Sequence, residues 1–275
     1  MNHMYEESKL LDSNRNWDEP AKAGSISAGG VMRDQDVRSA LRALLDEQHG
    51  SDPDTTIVEE MGVWSGTVRI DVAVINGELT GFELKSERDT LARLPTQAEI
   101  YGLVFDRMYL VTTDKHFQKA QHVVPNWWGA LVVRSLPDGR YHIVRKRRGR
   151  RNPSLDPLIV AKLLWKDEAL ALLDRHGLAR GLRSKPAPQV HQFLAISLSL
   201  EELRAGVRAA LKARRNWLGQ VGSDPLDVPI DSDADPVLEV AGRCSSSDLI
   251  DQVICPTSGD RMPVGVSLDG GRMAA

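Results

Sequence analysis

Thr67-Val-Arg-Ile-Asp71-Val-Ala-Val-Ile75-Asn-Gly77-Glu-Leu79-Thr-Gly-Phe-Glu83-Leu-Lys85 reads as two strands joined at a tight turn. Thr67 to Val74 alternates apolar and polar residues, as does Leu79 to Lys85, and Asn-Gly between two such runs is a strong hairpin signal. Asp71 interrupts an otherwise apolar run, and Glu83 and Lys85, two apart, share one face of their strand. The turn decides whether these residues meet. A two-residue turn at Asn76-Gly77 pairs position 75 with 78 and 71 with 82, which puts Asp71 on the face opposite Glu83 and Lys85. A three-residue loop over Ile75-Asn76-Gly77, with Gly77 left-handed as a bulge, pairs 74 with 78 and 71 with 81, and Asp71 then lies diagonal to Glu83 on one face. The second register is the expectation.

Outward from the hairpin, Val37, Leu41, Leu44 and Leu45 recur at helical spacing after Asp34, which is placed to cap, and before Gly50, so a helix precedes the strands. A β-branched strand fits Thr55 to Val58. After the hairpin a helix fits Thr96 to Phe105, a buried strand Met108 to Thr112, and further strands Ala130 to Arg134 and Tyr141 to Val144. The order is α-β-β-β-α-β with strands to follow, which predicts an α/β (α+β) fold, a mixed central sheet with helices packed on it. Residues 158–173 read as a helix pair or one bent helix, Leu178 to Leu194 as a short helix–turn–helix broken by Pro186 and Pro188, and Leu200 to Trp217 as an amphipathic helix. The expected organisation is a flexible leader (1–31), a sheet core (32–152), a basic helical module (153–218) and an acidic, disordered tail (219–275).

The 275 residues carry 35 Lys and Arg against 38 Asp and Glu, with 41% hydrophobic and 27% charged residues, which excludes wholesale disorder, collagen and coiled coil. No run approaches the ~18 apolar residues of a membrane span, and the first dozen residues are polar, so a cytoplasmic protein with no membrane partner is expected. Cys244 and Cys255 have no neighbouring metal-ligand spacing. The net charge of −3 conceals a division: residues 1–133 sum to −8, 134–220 to +12 and 221–275 to −7. The middle block is where a polyanion would bind, and its densest run is Arg145, Lys146, Arg147, Arg148, Arg150 and Arg151, broken by Gly149. Arg88, Asp89 and Arg93 read as salt-bridge partners or phosphate contacts, and Arg93 is counted with the nucleic-acid candidates. The −7 tail is a candidate internal mimic of DNA for the +12 block.

Two carboxylates on adjacent strands suit a hard divalent cation, with water and phosphate oxygens completing its shell. A lysine beside them can orient a water or neutralise charge at phosphorus, and Gln97 and Tyr101, four apart, share one helix face. The competing reading is an exposed strand face with cross-strand ion pairs.

Asp71, Glu83-Leu84-Lys85 and Gln97-Ala-Glu-Ile-Tyr101, in that order, resemble the PD-(D/E)XK nuclease superfamily, and the QxxxY element is similar to that of its RecB-type members. Arg33-Asp-x-Asp-Val-Arg38, Arg69-Ile-Asp71 and Glu83 to Leu94 look like a bacterial group within it, and the resemblance covers about residues 32–217. Ile70 stands where the superfamily often has proline. The resemblance implies a metal-dependent nuclease acting on DNA, RNA being left open, with Mg²⁺ (or Mn²⁺) held by Asp71 and Glu83, Lys85 activating water, and Gln97 and Tyr101 orienting the site. It implies a third acid, for which Asp36, Glu59 and Glu60 are the candidates. A homodimer or larger complex is compatible with it. The rival reading is a nuclease-like fold kept as a non-catalytic nucleic-acid-binding or assembly module.

Overall fold

The structure, a computed structural model, describes residues 31–63 and 68–214. The acidic tail, both cysteines and all but Val31 of the expected leader lie outside these residues. Helix α1 (Asp34–His49) is followed by strands β1 (Thr56–Val63), β2 (Val68–Ile75) and β3 (Leu79–Lys85), helix α2 (Leu94–Gly102), strand β4 (Arg107–Thr113), helix α3 (Asp114–Ala120), and strands β5 (Gly129–Ser135) and β6 (Tyr141–Arg147). Helices α4 (Pro157–Ala161), α5 (Lys166–Arg175), α6 (Ala187–Ser197) and α7 (Leu200–Ala213) complete the chain as described. The α+β class and the mixed sheet agree with the sequence. Among the described residues no helix is long and apolar enough to cross a membrane.

The six strands lie in sequence order. Strands β1, β2 and β3 form an antiparallel meander, β3, β4 and β5 run parallel with α2 and α3 in the crossovers, and β6 returns antiparallel on β5. One face is covered by α1, whose Val37, Leu41, Leu44 and Leu45 pack with Val72, Val74, Phe82, Leu84 and Val111. Burying each such side chain stabilises by about 1.5–3 kcal/mol. Asp34 is the first helical residue rather than the cap: the chain enters α1 at Arg33, whose N–H donates to Asp36 Oδ2 at 2.7 Å. The other face is covered by α2 and α4 to α7, and one apolar cluster runs from Val58 and Leu110 through Leu164 and Leu194 to Leu211. The helices expected as a module of their own therefore share the core of the sheet.

Charge is built into that junction. Asp106, 2% exposed, accepts the Leu79 N–H at 2.7 Å and takes Arg204 of α7 at 2.5 Å, with Arg208 at 3.9 Å. Trp128 is fully buried on the same side, with Tyr101 stacked at 6.4 Å between ring centroids.

Alternation slips at one level of the sheet, and that slip positions the site. Along β2, Val72 and Val74 face α1 while Ala73 and Ile75 face the opposite helices, yet Ile70, which a period of two would place with Val72, also packs with the opposite helices. Strand β1 slips at the same level, between Val58 and Met61. The residues between the paired Glu59↔Val72 and Met61↔Ile70 are Glu60 and Asp71, and Glu60 has φ of 53°, the left-handed region that a non-glycine residue adopts only under local constraint.

Candidate active site

Strands β2 and β3 pair Ile75 with Leu79 and Val72 with Phe82, so the loop is Asn76 to Glu78, one residue later than expected. Gly77 is not left-handed; the Asn76 side chain closes the loop by accepting the Glu78 N–H at 3.1 Å. In this register position 71 is level with 83, directly opposite rather than diagonal. Regular pairing stops at Val72, because the Asp71 side chain takes the place of a backbone acceptor: its Oδ2 accepts the Leu84 N–H at 2.7 Å. The strands diverge there, and the carboxylate lies in the gap.

Strand β3 is buried along its whole length, which makes its two charged residues conspicuous. Glu83 is 1% exposed and Lys85 8%. Lys85 Nζ donates to Glu83 Oε1 at 2.6 Å and to Gln97 Oε1 at 3.3 Å. Glu83 Oε2 is buried with no hydrogen-bond partner. Tyr101 is fully buried; its hydroxyl donates to the Arg69 carbonyl at 2.7 Å, which fixes the backbone two residues before Asp71, and it lies beside Glu83. Burial, then the neighbouring Glu83, pushes the Asp71 carboxyl up to about 7. Burial likewise raises Glu83, with Lys85 opposing, and raises the Tyr101 hydroxyl. Asp71, Glu83, Lys85, Gln97 and Tyr101 are thus brought together.

The third acid is not among them, and no three His, Cys, Asp or Glu side chains of the described residues converge as metal ligands. Both Asp36 oxygens are engaged elsewhere, on the Arg33 N–H at 2.7 Å and the Tyr141 hydroxyl at 3.0 Å. Glu59 faces Arg42 at 3.5 Å. Glu60, beside Asp71 on β1, is held by Arg38 at 2.9 Å.

Arg38 is the residue whose role the sequence does not reveal. From α1 its guanidinium reaches the Asp71 carbonyl at 3.0 Å, Asp71 Oδ1 at 3.3 Å, Glu60 Oε1 at 2.9 Å and Asp34 Oδ2 at 3.3 Å. Burial opposes its charge, but the carboxylates of Asp34, Asp71 and Glu60 outweigh burial and raise its pKa. The i,i+4 spacing from Asp34 is the only local signal, and it reads as an ordinary helix-surface pair. Two converging carboxylates, one with an unpartnered buried oxygen, fit a hard divalent cation whose remaining positions are water and phosphate oxygen.

The basic run stands apart. Arg145 is paired through Leu131 and Val111 to the level of Leu84, so it lies three strands, about 14 Å, from β3. Arg145, Lys146 and Arg147 belong to β6 itself, which is longer than expected. Arg147 is a tie of the fold: its guanidinium donates to the carbonyls of Trp128 at 2.7 Å, Gln121 at 3.3 Å and Pro125 at 3.4 Å. Arg150 donates to the Asn126 carbonyl at 3.2 Å. Gly149 is there because a Cβ at that position would overlap the Tyr109 ring, as it would at Gly129. Lys146, Arg148 and Arg151 are exposed, as is Arg93 at the start of α2.

Fold and site together define an α+β protein with a buried acid–acid–lysine cluster where two strands of a mixed sheet part. Residues 30–219 match the family model described as Bacteriophage P4 protein cII, and the chain belongs to that family. Protein cII of Enterobacteria phage P4 is 30% identical over 185 residues, which span 67% of this chain and 68% of that protein. A solved structure of a protein of unknown function from Silicibacter pomeroyi is 22% identical and covers 48% of this chain and 84% of its own, with a TM-score of 0.29.

Proposed function

We propose that this chain is a metal-dependent nuclease hydrolysing phosphodiester bonds of DNA in the cytoplasm. The observation that carries the reading is the buried Glu83 carboxylate with one oxygen unpartnered, set beside Lys85 in a fully buried strand and beside Asp71 of the neighbouring one. Burying these charges costs several kcal/mol per ion, and a sheet gains more from apolar residues of the same volume, so the cluster points to function.

Asp71 and Glu83 would hold Mg²⁺, with Mn²⁺ as a substitute, and the ion supplies Lewis acidity at the scissile phosphate. Lys85 has three N–H donors; two are engaged on Glu83 and Gln97, and the third is left to orient a water for in-line attack. Gln97 fixes the lysine head, and Tyr101 fixes the backbone that presents Asp71. The test is incubation of the purified full chain with plasmid DNA, single-stranded DNA and RNA in Mg²⁺, Mn²⁺ or EDTA, beside Glu83→Ala and Lys85→Ala. Cutting that needs metal and falls about 100-fold or more in both variants supports the reading; cutting at the wild-type rate in either variant overturns the site.

A second reading, a nuclease-like fold that binds nucleic acid without turnover, is favoured by one feature. Lys85 on Glu83 and Arg38 on Asp71 already pair both carboxylates within the chain. It expects salt-sensitive binding and no cutting in any metal.

A further inference from the structure

The cations of the +12 block sort into two groups once their partners are known. Many are engaged internally: Arg134 on Asp114, Arg140 on Asp138, Arg147 on three carbonyls, Arg204 and Arg208 on Asp106, Lys212 on Asp54 at 2.5 Å, and Arg214 on Glu168. The amphipathic helix α7 therefore offers little free positive charge. Besides Lys146, Arg148 and Arg151 of the run at 145–151, which stay exposed, a second exposed group lies in the loop between α5 and α6. Arg175, Arg180, Arg183 and Lys185 are exposed and, among the described residues, have no side-chain hydrogen bond or ion pair.

This loop is also built to hold its shape. Gly177, at φ of 72°, ends α5 with its N–H on the Asp174 carbonyl, and the Leu178 N–H returns to the Leu173 carbonyl, both at 2.9 Å. Ala179 is buried, and Leu178 and Leu182 pack on the same core, so the apolar residues pin the loop while the arginines between them point out. Gly181, at φ of 78°, makes the second turn. A Cβ at Gly177 or Gly181 would meet nothing within 4 Å, so the space over both is open to a ligand. The loop lines a cleft of about 410 Å³ with Arg180, Arg183, Ser184 and Asp174 at its walls.

We infer that the α5–α6 loop, residues 174–185, is a docking site for the phosphodiester backbone of nucleic acid, with Arg180 and Arg183 as its principal phosphate contacts. It lies on the helical layer that covers the sheet face opposite α1, the layer to which α2 with Gln97 and Tyr101 belongs. The inference rests on the nucleic-acid reading of the preceding subsection but not on catalysis, and it adds this loop to the exposed cations of the run at 145–151 as a place of phosphate recognition. Unpaired arginines on a pinned loop, beside backbone turns with open space, suit phosphate oxygens, which need charge and fork-shaped donors.

The experiment measures binding of the full chain to a fluorescein-labelled duplex and to its single strand in EDTA across a salt series. Wild type is compared with the double variant Arg180→Gln/Arg183→Gln and with Arg42→Gln/Arg140→Gln, whose arginines pair with neighbouring carboxylates. The loop variant is expected to lose affinity about tenfold or more and to flatten the slope of log K against log salt by about 1.8, two phosphate contacts at 0.9 each. Its thermal melt should coincide with wild type, since both side chains are free of partners. Affinity and slope equal to wild type, or a loss no greater than in the control, overturn the docking site. Cutting in Mg²⁺ is scored separately. Loop-dependent binding without cutting in any metal keeps the docking site and sinks the nuclease, whereas cutting that the loop variant retains with unchanged KM sinks the docking site alone.

Discussion

Arg38 stands among Asp34, Glu59, Glu60 and Asp71, so its removal leaves four carboxylates facing one another. Arg38→Met should destabilise the fold by about 1–3 kcal/mol, read as a lower urea midpoint, and Arg38→Lys should recover little, because a point charge cannot serve both the Asp71 carbonyl and Glu60 as the fork does. Equal midpoints for Arg38→Met and wild type would show that the guanidinium is dispensable there. Asp71 yields a pH prediction. Its carboxyl is pushed up to about 7 in the folded chain, against about 4 when unfolded. Between those values the native state holds a proton that the unfolded state has released, so stability falls as pH rises through this window. In EDTA, Asp71→Asn should flatten that fall and be the more stable protein at pH 8 by about 1–3 kcal/mol; a variant with the wild-type pH profile contradicts the assignment. Asp71, Glu83 and Lys85 were legible because each breaks an apolar strand pattern. Arg38 was not, since Glu60 and Asp71 lie 22 and 33 residues away and its local partner Asp34 reads as an ordinary helix-surface pair.

The elements divide similarly between what periodicity announces and what only packing decides. Helix α1 and strands β2 to β5 follow from spacing alone. Helix α3 was missed because Asp114 to Ala120 offers too few apolar residues to show a helical period. The hairpin register was missed because the expected and actual loops are both three residues long and differ only by a shift of one position, and an Asn76 side-chain bond, not a left-handed Gly77, closes the actual loop. Strand β6 carries the same lesson for charge: six cations in seven positions read as one patch, yet they have different duties. Arg147→Gln should destabilise by about 1–3 kcal/mol, as three carbonyls lose their donor, while the neighbouring Arg148→Gln should stay within about 0.5 kcal/mol of wild type. Equal thermal melts for the two variants would refute the division.

At the scale of the molecule, the charge blocks marked where cations concentrate but not which of them were already engaged, and the boundary expected at 152 and 153 has one core on both sides of it. A chain ending at Asn152 would expose the face of the sheet that α4 to α7 cover, so it should bind a hydrophobic dye and lose its cooperative thermal transition; a cooperative melt like that of the full chain would mean the helical layer is dispensable. The shared core matters to the site, because α2, which brings Gln97 and Tyr101 to Glu83 and Lys85, packs in the same layer. The central claim is that Asp71 and Glu83 together make a metal site. Titration of the full chain with Mn²⁺, followed by electron paramagnetic resonance of the free ion, tests it without any substrate. The account predicts saturable binding in wild type that is lost in both Asp71→Asn and Glu83→Gln. Binding that persists unchanged in both variants, or no binding by the wild type, would contradict it.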